Sequence, residues 1–137
     1  MGEVTAMITL VNTGDVAMVQ RGLMKEAEVR QAAVTAVVDT GSTFIVINEA
    51  LRAQLGLQIR RSGSVGLAGG KRSVCTYTEP VTIRWKDRET VSYAVVLPEG
   101  KEILLGVIPL EGMDLMVNPS AQCLEGAHGD EMVFMLR

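Results

Sequence analysis

Residues 33–38, Ala-Val-Thr-Ala-Val-Val, form a continuous apolar run of strand length that ends on a carboxylate, Asp39, followed by Thr40-Gly41-Ser42-Thr43. A run of this length and composition reads as a strand buried on both faces. An ionisable group at its end is costly unless hydrogen bonds or a chemical role satisfy it. Gly41 lets the chain turn back and bring backbone N–H groups to the carboxylate, and the Thr40 and Ser42 hydroxyls add donors. Alone, Asp39-Thr40-Gly41 is also an ordinary turn sequence. The rest of the chain has to decide between the two readings.

Around this run, Gly and Pro punctuate the chain about every ten residues and β-branched residues crowd the intervals. Residues 7–11 read as a first strand, ended by the turn Asn12-Thr13-Gly14-Asp15. Residues 16–19 and 27–30 look like further strands, with 23–27 equally compatible with a helix. Residues 48–56 carry a helix signature. Asn48 caps the start, Glu49 sits in the first turn, Leu51 and Leu55 share a face, and Gly56 supplies the left-handed residue past the end. Residues 74–77, 81–85, 91–97 and 103–108 read as strands, 110–117 as a short helix stopped at Asn118-Pro119, and 132–136 as a last strand. The balance is an all-β fold with one or two short helices. At 137 residues, 47% of them apolar, the chain fits a single domain over 1–137 with one core and is not disordered.

Composition excludes several classes of function. Thirteen basic against 16 acidic residues, a net charge of −3, give no electrostatic reason to expect nucleic acid or an anionic membrane as partner. The opening residues lack a secretory pattern and no apolar run reaches the roughly 18 residues of a membrane helix, so the expected location is cytoplasmic. Cys75 and Cys123 are then expected as free thiols, with a disulfide between them as the alternative. His128 is the only histidine, so neither a metal site nor any cofactor is expected. A Cys123–His128 thiol–imidazole pair is conceivable, but a packed thiol and a solvated imidazole are the simpler reading. Gly69-Gly70-Lys71-Arg72-Ser73 lacks the glycine spacing of a phosphate loop. Trp85 and the eight scattered methionines read as packing.

Three elements in order decide the Asp39 question: Val37-Val38 before Asp39-Thr40-Gly41-Ser42-Thr43, a helix ending in Leu55-Gly56-Leu57, and a later Ile103-Leu104-Leu105-Gly106. This set resembles the retroviral-type, retropepsin-like aspartic peptidases. Gly2-Glu3-Val4 and residues 105–119 are similar to the beginning and end of the core in the bacterial and archaeal single-domain members. The resemblance covers most of residues 2–119. It leaves 120–137 as a C-terminal turn and interface strand, with 126–129 read as a mobile turn.

The resemblance implies a single-lobe acid-protease barrel closed into a twofold homodimer, obligate for activity, that hydrolyses peptide or protein substrates. Asp39 is then the catalytic carboxylate. Thr40 braces the two loops, Gly41 fixes the turn and offers its N–H, and Ser42 donates to the carboxylate, which favours activity at acidic pH. Gly66, Leu67, Ala68, Gly69 and Gly70 correspond to a flap over the substrate, although relatives often carry Ala-Asp-Gly where this chain has Ala68-Gly69-Gly70. Residues 7–11 and 132–136 are the implied interface strands. A catalytically idle dimer that binds peptides or partners in the same groove is the alternative.

Overall fold

Apolar, β-branched segments set the architecture of the computed structural model, which describes residues 3–98 and 100–136. Gly2, part of the opening Gly2-Glu3-Val4, lies outside them. The strands are β1 (Thr5–Asn12), β2 (Gln31–Val38), β3 (Ile45–Ile47), β4 (Ile59–Gly66), β5 (Arg72–Thr78), β6 (Val81–Trp85), β7 (Arg88–Ser92), β8 (Ala94–Val96), β9 (Leu104–Leu105), β10 (Leu115–Asn118) and β11 (Cys123–Gly126). The helices are α1 (Thr13–Gln20), α2 (Glu49–Leu55) and α3 (Val107–Gly112), with a 3₁₀ turn at Glu26–Glu28. One mixed sheet runs β4-β5-β8-β3-β9-β2-β1-β6-β7, and β10 pairs with β11 apart from it. The fold is therefore mostly β, with short helices.

The core collects alternate residues of the strands with one face of α2. Ile8, Leu10, Ala36, Ile45, Ile47, Leu51, Leu55, Leu57, Ile83 and Leu105 pack in one buried cluster. Helix α2 has the expected ends: Asn48 accepts from the Leu51 N–H at 2.8 Å, and Gly56 takes φ 64°. Arg30 lies where a Cβ on Gly56 would stand.

Residues 16–19 are helical rather than extended. Asn12 is the N-cap of α1 and accepts from the Asp15 N–H at 3.0 Å, while its own amide donates to the Leu55 carbonyl at 2.8 Å. The buried Asp15 carboxylate is held by the Arg30 guanidinium and by the Arg30 N–H, at 2.8 to 3.0 Å. These bonds outweigh the strand propensity of Val16 and Val19. The Arg30 side chain, above all other causes, holds the Asp15 carboxyl below its ordinary value. A depressed folded-state pKa stabilises the fold above the ordinary carboxylate range, and that stability is lost as pH falls through it. Arg30→Ala is therefore expected to cost about 1–2 kcal/mol at pH 7, discounted because the guanidinium is half exposed. The difference from the parent should shrink toward pH 3, as read from urea midpoints at the two pH values.

Other elements also differ from the sequence reading. β2 alternates, with Ala33 and Thr35 exposed, because only one of its faces meets the core. The run 103–108 is split: Gly106 ends β9 and α3 starts at Val107, so the helix expected at 110–117 lies earlier and β10 follows it. The run 91–97 breaks at Tyr93 into β7 and β8. β1 pairs with β2 along residues 5–11 and with β6 along 9–12, so within 7–11 only Met7 and Ile8 lack a partner on the β6 side. Residues 132–136 form no strand within the single chain.

The turn at 126–129 is tied rather than free. The buried Arg88 guanidinium donates to the carbonyls of Met113, Asp114 and Gly129 at 2.9, 2.7 and 2.6 Å. Asp114 accepts from the Val133 N–H at 2.9 Å and pairs with His128 Nδ1 at 2.8 Å. Those two partners, the Val133 N–H first, hold its carboxyl below the ordinary value. His128 is thus engaged with Asp114 rather than with Cys123. Cys75 and Cys123 are free, the first fully buried. No helix among the described residues is long and apolar enough to cross a membrane.

Candidate functional site

The chain leaves β2 at Val38 and folds into a tight loop whose geometry is set by backbone bonds. The Asp39 N–H donates to the Leu105 carbonyl at 3.0 Å, which fixes the residue to the end of β9. The Ser42 N–H donates to the Asp39 carbonyl at 3.1 Å and closes the turn. Both carboxylate oxygens are then satisfied locally: the Gly41 N–H donates to Oδ1 and the Ser42 hydroxyl to Oδ2, each at 2.9 Å. The Asp39 side chain is half-buried, an acceptor held in one orientation by these two bonds. Thr40 is exposed, and its hydroxyl makes no hydrogen bond among the described residues.

The elements behind the loop explain its rigidity. β9 lies between β2 and β3, parallel to the first and antiparallel to the second. It therefore bonds to the strands on both sides of the Asp39 loop. Just after it, the first N–H groups of α3 are free of intrahelical partners. The Val107 N–H donates to the Ser42 carbonyl at 2.8 Å and the Ile108 N–H to the Thr43 carbonyl at 2.9 Å. Gly106 makes this approach possible, since a Cβ there would collide with the Phe44 carbonyl oxygen and stand 2.6 Å from that of Ser42.

A cleft of about 340 Å³ opens beside the loop, lined by Gly41, Ser42 and Thr43, by Phe44, Val46, Val95 and Leu104, and by Ser64, Gly66, Leu67 and Tyr77 of the β4–β5 hairpin. Gly66 and Leu67 thus face the loop. Ala68, Gly69 and Gly70 form the exposed tip and do not line the cleft; Gly69 and Gly70 take φ 85° and 80°, a tight reversal that suits glycine. The Leu67 N–H donates to the Lys71 carbonyl at 2.7 Å across the tip.

The aromatic and aliphatic wall escaped the sequence. Phe44 and Tyr77 stack edge to face, with centroids 6.3 Å apart, and Tyr77 lies over Gly63, where a Cβ would intrude. Burial, first of its causes, pushes the Tyr77 phenol up. Only the pairing of β5 with both β4 and β8 places these residues together. The one local signal was Gly63, a glycine inside β4 rather than at its end, a mark of close approach.

Comparisons with known proteins follow the same outline. A family model described as aspartyl protease matches residues 26–108, which include the Asp39 loop, the hairpin and β9. Among solved structures, EIAV protease complexed with the inhibitor HBY-793 is similar, with a TM-score of 0.55 at 19% identity over 80% of this chain and 86% of that one. At that identity the likeness concerns the fold. A search of curated proteins gave no match.

Proposed function

The chain belongs to the aspartyl protease family, and from that premise we propose that it is an aspartic endopeptidase that works as a homodimer. In this reading Asp39 and the Asp39 of a second copy activate one water for attack on a peptide bond. The observation that carries it is the Asp39 carboxylate, fixed by the Gly41 N–H and the Ser42 hydroxyl beside a cleft that those two residues line.

Hydrolysis by carboxylates needs a base that takes a proton from water and an acid that polarises the carbonyl. Two carboxyl groups in contact divide those roles, because they cannot both ionise and so share one proton. Among the described residues no other carboxylate joins Asp39 at the cleft. A twofold axis beside Asp39 supplies the missing one from an identical chain. Thr40, exposed and unbonded among the described residues, is available to brace the two loops against each other. The β4–β5 hairpin acts as the flap, with Gly66 and Leu67 over the substrate and Ala68, Gly69 and Gly70 at its tip.

The C-terminal segment is the proposed interface strand. Phe134, Met135 and Leu136 are 53%, 90% and 92% exposed in the single chain, although Arg88 and Asp114 anchor the residues just before them. Pairing with the same segment of a second copy would give these apolar side chains cover and the backbone a ladder.

A diverse peptide mixture incubated from acid to neutral pH, with products read by mass spectrometry and mass in solution by sedimentation, tests the reading. Cleavage by a dimer, lost on truncation after residue 131, is expected. A stable folded monomer, or a dimer that cleaves nothing at any pH, would overturn it.

A further inference from the structure

A second and larger cleft, of about 590 Å³, lies next to the one at Asp39 and does not reach the Asp39 loop. Its lining is Phe44, Arg60, Arg61, Ser62, Gly63, Tyr77, Thr78 and Tyr93. Phe44 and Tyr77 line both clefts, so the two adjoin across the aromatic pair. An extended peptide held under the β4–β5 hairpin and passing the Asp39 loop would cross that pair and enter the outer cleft.

The chemistry of the outer cleft is one-sided. Arg60 and Arg61 contribute two guanidinium groups, and no carboxylate lines the space among the described residues. Among the described residues neither guanidinium takes part in an ion pair. Arg61 is set over the face of Tyr77, 5.5 Å from the ring centroid, which orders a side chain that would otherwise sample many rotamers. Thr78 already donates to the Glu79 carbonyl and accepts from the Ala94 N–H. The Tyr77 phenol is pushed up by burial, so it stays a neutral donor at any acidic assay pH. The cleft therefore offers fixed donors and net positive charge, framed by two tyrosines and a phenylalanine. A planar carboxylate on a short aliphatic stem matches that set.

We propose that this outer cleft is a subsite for an acidic side chain, so that the peptides preferred by this protein carry Asp or Glu away from the scissile bond. The inference rests on the peptidase reading, and it names the substrate class for the same groove. In a twofold dimer each copy contributes one outer cleft, so the acidic preference appears on both sides of the cleaved bond.

The test uses peptide pairs that differ only by Glu or Gln, scanned along an otherwise neutral cleavable sequence. Two readouts are taken: kcat/KM with the parent protein, and equilibrium binding by fluorescence anisotropy with Asp39→Asn, which needs no chemistry. At one or two outer positions the Glu peptide should be favoured about tenfold or more in both readouts. The preference should weaken as salt is raised. In Arg60→Gln/Arg61→Gln the Glu-to-Gln ratio should fall to about one, and Arg61→Lys should restore part of it. Cleavage with a ratio near one at every position overturns the subsite and leaves the peptidase reading standing. A Glu preference in binding without any cleavage does the reverse. A salt-insensitive preference that survives the double substitution places the acid elsewhere and also overturns the subsite.

Discussion

Asp39→Asn is expected, on the proposed peptidase reading, to lower kcat by at least about three orders of magnitude while the fold and the proposed dimer persist. Asparagine keeps the size of the side chain. Its carbonyl oxygen still accepts the Gly41 N–H now bonded to Asp39 Oδ1. The Ser42 hydroxyl, which donates to Oδ2 at 2.9 Å, can rotate and accept from the new amide instead. Loop geometry is therefore preserved and only the titratable group is removed. Among the described residues no carboxylate lines the cleft to take over its role. The assay pairs initial rates on a cleaved peptide with sedimentation and a thermal midpoint. Residual activity above about one per cent of the parent would mean that another group does the chemistry.

Gly106→Ala is expected to destabilise this fold by about 3 kcal/mol or more. The backbone of Gly106 is extended, with φ −90° and ψ −176°, so conformation alone would admit any residue. Space is what forbids alanine. The atoms a Cβ would meet are the backbone oxygens of Phe44 and Ser42, and these cannot swing aside as a side chain can. Relief would require moving β9 and α3 away from the Asp39 loop. That movement would break the bonds from Val107 and Ile108 to the loop carbonyls. Because a misplacement of about 1 Å can cost a hundredfold in rate, activity should fall with stability. A variant within about 1 kcal/mol of the parent by urea titration, and within tenfold in rate, would show that the clamp is looser than its geometry.

What the sequence made legible was local. The cap and stop of α2 were visible in Asn48 and Gly56, because both act through bonds within one turn of the chain. The Asp39 loop was equally visible, since its partners Gly41 and Ser42 are two and three residues away. Elements that depend on distant partners were hidden. Residues 16–19 have strand composition, and only the Asn12 cap and the buried Asp15–Arg30 pair make them a helix. The apolar run from Ile103 reads as one strand, yet two of its residues pair in β9 while Val107 turns into α3. The walls of the clefts were the least legible. Phe44, Tyr77, Val95 and Leu104 meet through the order in which strands pair, which no short window of sequence contains.

The place of β9 in the sheet has a consequence for the order in which the molecule comes into being. Remove it, and the remaining strands fall into two separate groups of four, β4-β5-β8-β3 and β2-β1-β6-β7. Two residues, Leu104 and Leu105, are the seam. A chain emerging from synthesis carries Asp39 early, but the carboxylate has no fixed address until residue 105 arrives to receive the Asp39 N–H. Whatever acid chemistry Asp39 carries is therefore withheld until the seam between the two groups has closed.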